Sequence, residues 1–213
     1  SQLNGEPDGT FPKGRPDPFV PENRDEFVAK IKAEQPTFGV AWDADADRVF
    51  FCAGDGTFVD SYYINALLIK LNLKKYPGEK IIYDPRYTWA LIDATKDAGG
   101  IPVLERVGHS YIKAGMRKVN AVFSGESSGH TFYRDFWFAD SGILPLFQVI
   151  NLINSENKPL ASLVKSLMEK YYISGEYNSE VKDKEKIFKS VAEKYSDAKQ
   201  SDFDGLSIEY DDW

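Results

Sequence analysis

Apolar and polar positions follow two rhythms along this chain. From Asp60 onward Tyr63, Ile64, Leu67, Leu68 and Leu71 recur at helical spacing, and the break at Pro77-Gly78 precedes the strand Ile81–Tyr83. A second cycle places Ala90, Leu91, Ala94 and Ala98 on a helix stopped by Gly99-Gly100, followed by the strand Ile101–Leu104. A third pairs a helix near Ser110–Lys118 with the strand Ala121–Phe123, and two apolar helices, about 141–154 and 159–171, close the series. Strand and helix alternating at this pace predict an α/β fold, repeated strand-helix units on a mostly parallel mixed sheet.

The flanks read differently. Residues 1–23 hold five prolines and predict an extended loop. A helix over Arg24–Glu34 follows, then the strands Thr37–Trp42 and Val49–Ala53, with Gly54-Asp55-Gly56 as a turn before another strand-like run. From Ser174 the chain turns acidic, with 11 acidic and 6 basic side chains up to Trp213. A helix there carries Ile187, Phe188, Val191, Ala192 and Tyr195 on one face, ahead of a strand candidate at Leu206–Tyr210. So few elements cannot bury their own apolar faces, and a long loop is an unusual way to open a domain. The expectation is a fragment with partial neighbouring domains at both ends.

Composition narrows the function. Of 213 residues 42% are hydrophobic and 28% charged, which disfavours disorder and coiled coil. The 33 acidic residues outnumber the 26 basic ones, so a nucleic-acid partner is not expected. The longest apolar stretch, Ile143–Ile153, falls well short of the roughly 20 residues that cross a bilayer, so no membrane span is expected either. A lone Cys52 excludes an internal disulfide and points to a cytoplasmic setting.

Four polar loops follow apolar strands, where α/β folds bind ligands. The sharpest is Asp43-Ala-Asp45-Ala-Asp47-Arg48. On an extended backbone alternate residues project to one side, so Asp43, Asp45 and Asp47 would converge, and hard oxygens without His or Cys suit Mg²⁺. The plain alternative is a solvated acidic turn; an EF-hand is excluded because Arg48 and Gly54 stand where its Gly and Glu belong. The second loop, Ser124-Gly-Glu126-Ser127-Ser128-Gly129-His130, supplies acceptor, hydroxyl and titratable nitrogen, the groups that grip a polyol. Its alternative is an ordinary turn. The third, Arg106-Val-Gly108-His109-Ser110, opens a helix and so favours an anion, with Ser110 as a capping candidate. The fourth, Asp84-Pro-Arg86-Tyr-Thr88, offers Arg86 to a phosphate or to solvent.

Together these residues resemble the α-D-phosphohexomutase superfamily, most closely its phosphomannomutase/phosphoglucomutase branch. Asp43–Arg48 is similar to that family's Asp-Gly-Asp-Gly-Asp-Arg metal loop and Gly125–His130 to its Gly-Glu-Met-Ser-Gly-His sugar loop. Val107–Ser110 with Ile112-Lys113, and the Pro-Asp-Gly-Thr-Phe-Pro opening, agree as well, in the same order across nearly the whole chain. The resemblance implies interconversion of hexose 1-phosphate and hexose 6-phosphate through a hexose 1,6-bisphosphate and an active-site phosphoserine. It implies Mg²⁺ at Asp43, Asp45 and Asp47, catalytic roles for Arg48 and His130, and substrate binding by Arg86, Gly108, His109, Glu126, Ser127, Ser128, Gly129 and His130. It divides the chain into the end of domain 2 (1–58), a complete domain 3 (59–172) and the start of domain 4 (173–213), with the rest of the enzyme needed to complete the site. Departures are Ala44 and Ala46 where the family has glycine, Ser127 for Met and Arg86 for Lys. The family's Thr-Ala-Ser-His-Asn-Pro and Arg-x-Ser-Asn-Thr loops do not occur in these residues. On this reading the 213 residues alone are an inactive, sugar-phosphate- or Mg²⁺-binding piece. A rival is a haloacid-dehalogenase-type phosphatase, with Asp43-Ala-Asp45 as nucleophile motif and Gly54–Asp60 as its later acidic motif; the two lie too close together for that fold.

Overall fold

The computed structural model describes residues 1–6 and 8–213. The chain forms two compact units, Ser1–Tyr171 and Tyr172–Trp213.

In the first unit the described residues of the proline-rich segment have no regular structure before a single helical turn at Pro21–Asn23, after which comes α1 (Asp25–Glu34). Strands β1 (Phe38–Trp42), β2 (Val49–Ala53) and β3 (Phe58–Val59) make an antiparallel sheet in that order. Strand β2 is buried along its whole length, as its unbroken apolar run requires.

The larger sheet is built from β4 (Lys80–Tyr83), β5 (Ile101–Leu104), β6 (Phe123–Gly125), β7 (Thr131–Tyr133) and β8 (Ala139–Asp140), in the order β5-β4-β6-β7-β8. The first two pairings are parallel and the last two antiparallel, so the sheet is mixed. Helix α2 (Ser61–Lys75) starts where the Asp60 carboxylate accepts the Tyr62 amide at 2.9 Å, and it is buried at most positions. Helix α3 (Trp89–Asp97) follows β4, and α4 (His109–Val119) follows β5. On one sheet face Ile82 and Phe132 pack with Ile112 and Met116 of α4. The opposite face lies against α2, and α5 (Leu144–Glu156) and α6 (Leu160–Lys170) complete that layer. Helices α4 and α5 stop at Asn120 and Asn157, both left-handed, the conformation that ends a helix.

The second unit holds α7 (Lys184–Lys194), capped by Asp183, and a ribbon of β9 (Lys199–Ser201) and β10 (Ser207–Glu209). No residue of α7 is buried, and Ile187 and Phe188 are about half exposed, at 46% and 53%. No helix among the described residues is long and apolar enough to cross a membrane.

Candidate functional site

The acidic loop does not converge by strand alternation, as the sequence reading expected. It is the tip of the β1–β2 hairpin, a turn closed by Ala46 N donating to Asp43 O at 3.3 Å, with Ala46 at φ +59°. The turn rather than the pleat gathers the carboxylates, because Trp42 and Val49 already pair at the hairpin's end. One oxygen from each of Asp43, Asp45 and Asp47 lies within 4.8 Å of the others. Asp43 is buried, Asp47 half-buried and Asp45 exposed. Asp47 Oδ1 is buried with no hydrogen-bond partner among the described residues. Three hard oxygen donors, one of them without a hydrogen bond and only 3.8 Å from the Arg48 guanidinium, fit Mg²⁺ by their chemistry.

Arg48 closes this loop from below. Its Nε donates to Asp43 Oδ2 at 2.6 Å, and its Nη1 lies 3.4 Å from Asp17 Oδ1. Burial alone would lower the guanidinium's pKa, but Asp43 first, then Asp17 and Asp47, raise it above its ordinary value. Asp17, buried in the proline-rich segment, was invisible to the sequence reading because a carboxylate between two prolines looks like surface loop.

The polyol-type loop lies between β6 and β7 and meets the acidic loop directly. Arg48 and His130 form an isolated antiparallel bridge. His130 Nε2 lies 3.3 Å from Asp47 Oδ2, and its Nδ1 lies 2.9 Å from Ser128 Oγ and 3.1 Å from Glu126 Oε2. Burial disfavours the imidazolium, yet the Glu126 hydrogen bond and the charges of Asp47, Glu126 and Asp140 outweigh it, so the His130 pKa is raised. Asp140 in turn is paired with Lys113 at 2.8 Å. Asp47, His130 and Asp140 form a second trio of potential ligands within 4.8 Å.

Glu126 is buried, and its Oε1 accepts the Gly108 amide at 2.9 Å. The anion at the start of α4 is thus this side chain, the electrostatics expected of a helix N-terminus. Helix α4 begins at His109 with Gly108 at φ +119° as the preceding residue and no side-chain cap, so Ser110 does not cap it. The glycines of the polyol loop make room for the protein's own side chains. A Cβ at Gly125 would meet the Asn65 side chain at 2.3 Å, and Gly129, at φ +95°, would meet the Phe50 ring at 2.9 Å. They admit neighbouring side chains of the protein itself, so close ligand approach is not what their absence of a Cβ shows. Asn65, fully buried on α2, donates to the Glu126 carbonyl oxygen at 3.2 Å and was missed as one more polar position in an apolar helix.

His109 is exposed at the first position of α4 and Arg86 is exposed in the β4–α3 loop, whereas Ser127 is buried beside Glu126. The structure therefore brings Asp43, Asp47, Arg48, Glu126, Ser128 and His130 into one linked network, with Gly108 joined through Glu126. Asp84, next but one to Arg86, reaches Glu126 electrostatically. The phosphatase reading needs Asp43 at the end of a parallel strand; β1 is in an antiparallel sheet.

What fold and site define is an α/β unit in which a loop of three aspartates is set against a loop carrying Glu126, Ser128 and His130. The sequence profile of phosphoglucomutase/phosphomannomutase α/β/α domain III matches residues 60–171, and that of domain II matches residues 1–56. The chain belongs to the phosphoglucomutase/phosphomannomutase family of α-D-phosphohexomutases. It is 43% identical over 210 residues to phosphohexose mutases of Xanthomonas campestris pv. campestris, matching 98% of this chain and 47% of that protein. It is 39% identical over 214 residues to phosphomannomutase of Escherichia coli K12, again 47% of the relative. The chain thus spans about half the length of these curated relatives. A solved phosphoglucomutase/phosphomannomutase family protein from Burkholderia thailandensis superposes with a TM-score of 0.82 at 30% identity, over 98% of this chain and 45% of that one.

Proposed function

We propose that these residues carry the metal loop and sugar loop of a phosphohexomutase that interconverts hexose 1-phosphate and hexose 6-phosphate, mannose or glucose being the sugar. The observation that carries the reading is His130: it touches Asp47 of the cation loop and Glu126 of the polyol loop at 3.3 and 3.1 Å, so one side chain links the two halves of the chemistry. The phosphomannomutase and phosphohexose mutase relatives support the same activity.

In this reading Asp43, Asp45 and Asp47 hold Mg²⁺, which supplies charge neutralisation during phosphoryl transfer. Arg48 orients Asp43 through their 2.6 Å hydrogen bond. Glu126 and Ser128 accept and donate to sugar hydroxyls in either orientation of the substrate, Gly108 and Ser127 shape the floor, Gly129 turns the loop, and His109 and Arg86 meet the phosphate end. His130 holds a proton between Glu126 and Asp47, where it can be passed to or from the reacting hydroxyl. The phosphoryl group would come from a phosphoserine on a segment outside these residues. It passes to the free hydroxyl of the monophosphate, and the hexose 1,6-bisphosphate returns its other phosphoryl group to the serine. The 213 residues alone then bind without turning over, the remaining domains of the enzyme being needed as partners.

Asp45 is the exposed member of the trio, so Asp45→Ala should leave folding intact while mutase activity of the intact enzyme, supplied with Mg²⁺ and a trace of bisphosphate, falls at least a thousandfold. Activity within tenfold of the parent refutes the metal loop. Comparing mannose 1-phosphate with glucose 1-phosphate then fixes the preferred sugar.

A further inference from the structure

Asp84 is the most deeply buried carboxylate in the first unit, with 0% of its surface exposed, and no role above uses it. It stands just past the carboxyl end of β4. There Ile82 lies beside Ser124 of the parallel strand β6, and just past the strand ends Asp84 and Glu126 are near enough to act on each other electrostatically. Asp84 Oδ1 accepts the Arg86 amide at 2.8 Å, and the Asp84 carbonyl oxygen accepts the Tyr87 amide at 3.3 Å. Asp84 Oδ2 has no hydrogen-bond partner among the described residues, and neither has the buried Ser124 Oγ.

A turn of this kind is ordinarily made by an Asp or Asn at the surface, where water satisfies the second oxygen. Burying a carboxylate with one oxygen unpaired is costly, and an exposed side chain would close the same turn without that cost. Burial first, and then the charge of Glu126, push the Asp84 carboxyl up to about 6, against the Arg86 amide, the Tyr87 amide and the Arg86 charge, which pull it down. The charge therefore works against folding, and Arg86 is the cation among the groups that interact with it. The other end of the loop is pinned too: the Tyr87 hydroxyl donates to Asp60 Oδ1, the same oxygen that caps α2.

We propose that Asp84 is a positioning residue for Arg86: Oδ1 fixes the backbone from which Arg86 projects, and the buried charge aims its guanidinium at the phosphate of a sugar monophosphate. The proposal rests on the phosphohexomutase reading for the identity of that ligand, but not for the role of Asp84 itself.

Two measurements separate the two. Hydrogen exchange at the Arg86 amide of the 213-residue chain needs no turnover: Asp84→Ala should speed it at least tenfold, and Asp84→Asn, which keeps Oδ1, should leave it within threefold. Unchanged exchange in Asp84→Ala overturns the proposal whatever the enzyme does. In the intact enzyme, KM for the hexose monophosphate should rise about tenfold in Asp84→Ala and about threefold in Asp84→Asn, with kcat less affected. In an Arg86→Ala background neither change should move KM more than twofold, because a residue that acts through Arg86 has nothing left to act on. Effects that multiply fully in the double variant overturn the proposal. Should Asp84→Ala fail to fold, Asp84→Asn with and without Arg86→Ala makes the same comparison. An intact enzyme that converts no hexose phosphate refutes the functional reading and leaves the exchange result standing.

Discussion

At the scale of single residues the site shows where function and stability oppose each other. Asp84 titrates higher in the folded chain, at about 6, than the ordinary value of 3.8 it has when unfolded. Between those two pH values the native state holds a proton that the unfolded state has lost, so stability falls as pH rises through the window and stays lowered above it. A shift of about two units corresponds to about 3 kcal/mol at most. Asp84→Asn should therefore be about 1–3 kcal/mol more stable than the parent at pH 7.5, and the difference should shrink toward zero near pH 4. Urea unfolding at both pH values checks this; a difference that does not depend on pH shows that Asp84 is not the strained group. Ala46 is a second such case. Its φ of +59° is left-handed, where a Cβ costs about 1 kcal/mol or more, so alanine strains the turn. Ala46→Gly, the residue of the family motif, should raise stability by up to about 1 kcal/mol after the glycine's own entropy is counted. Thermal unfolding of the variant tests it, and a lowered midpoint excludes strain at that position.

At the scale of elements, what periodicity encodes was legible and what pairing encodes was not. Helices α2, α3, α4, α5 and α6 announce themselves by apolar spacing and by stops such as Pro77-Gly78 and Gly99-Gly100, and strands β1, β2, β4 and β5 by unbroken apolar runs. Strands β7 and β8 were not visible, because Thr131–Tyr133 is short and Ala139–Asp140 is held only by its neighbour in the sheet. The polar β9 was likewise hidden, Lys-Gln-Ser carrying no alternation. Within the site the ligand types were legible from Asp43 to Arg48 and Ser124 to His130. Their meeting was not, since the Arg48–His130 bridge and the Trp42 indole donating to Gly142 O at 2.9 Å join positions far apart in sequence. Gly142 is the contact on which that docking depends: a Cβ there would stand 2.4 Å from the Ala46 carbonyl oxygen and 3.0 Å from the Trp42 ring. Backbone cannot step aside cheaply, so Gly142→Ala should cost about 1–3 kcal/mol and displace the acidic loop. Chemical denaturation together with Mg²⁺ calorimetry reads both effects. A loss under about 0.5 kcal/mol, the range of an indifferent surface change, means the hairpin does not rest on that glycine.

At the scale of the whole chain, burial is distributed unequally between the two units. The first buries large apolar side chains throughout, among them Phe51, Leu68, Ile81, Leu91, Met116, Phe123 and Leu160, each with less than 2% of its surface exposed. The second buries none of its residues fully: Ile187 and Phe188 stand open, α7 packs no side chain out of water, and its only sheet is the two-stranded β9–β10 ribbon. A ribbon and one helix with so little apolar surface removed from water open locally at low free energy. The connecting residues 172–183 have no regular structure and present Lys182 to solvent. Trypsin at low concentration should thus cut the C-terminal part of the 213-residue chain first between Tyr172 and Lys194, leaving a resistant product that holds α1 through α6. Mass spectrometry of the early products decides the point. Early cleavage after Lys80, which lies within β4, or after Arg117 of α4 would mean that the core unit is the looser of the two, and the stability ascribed here to the site's scaffold would not hold.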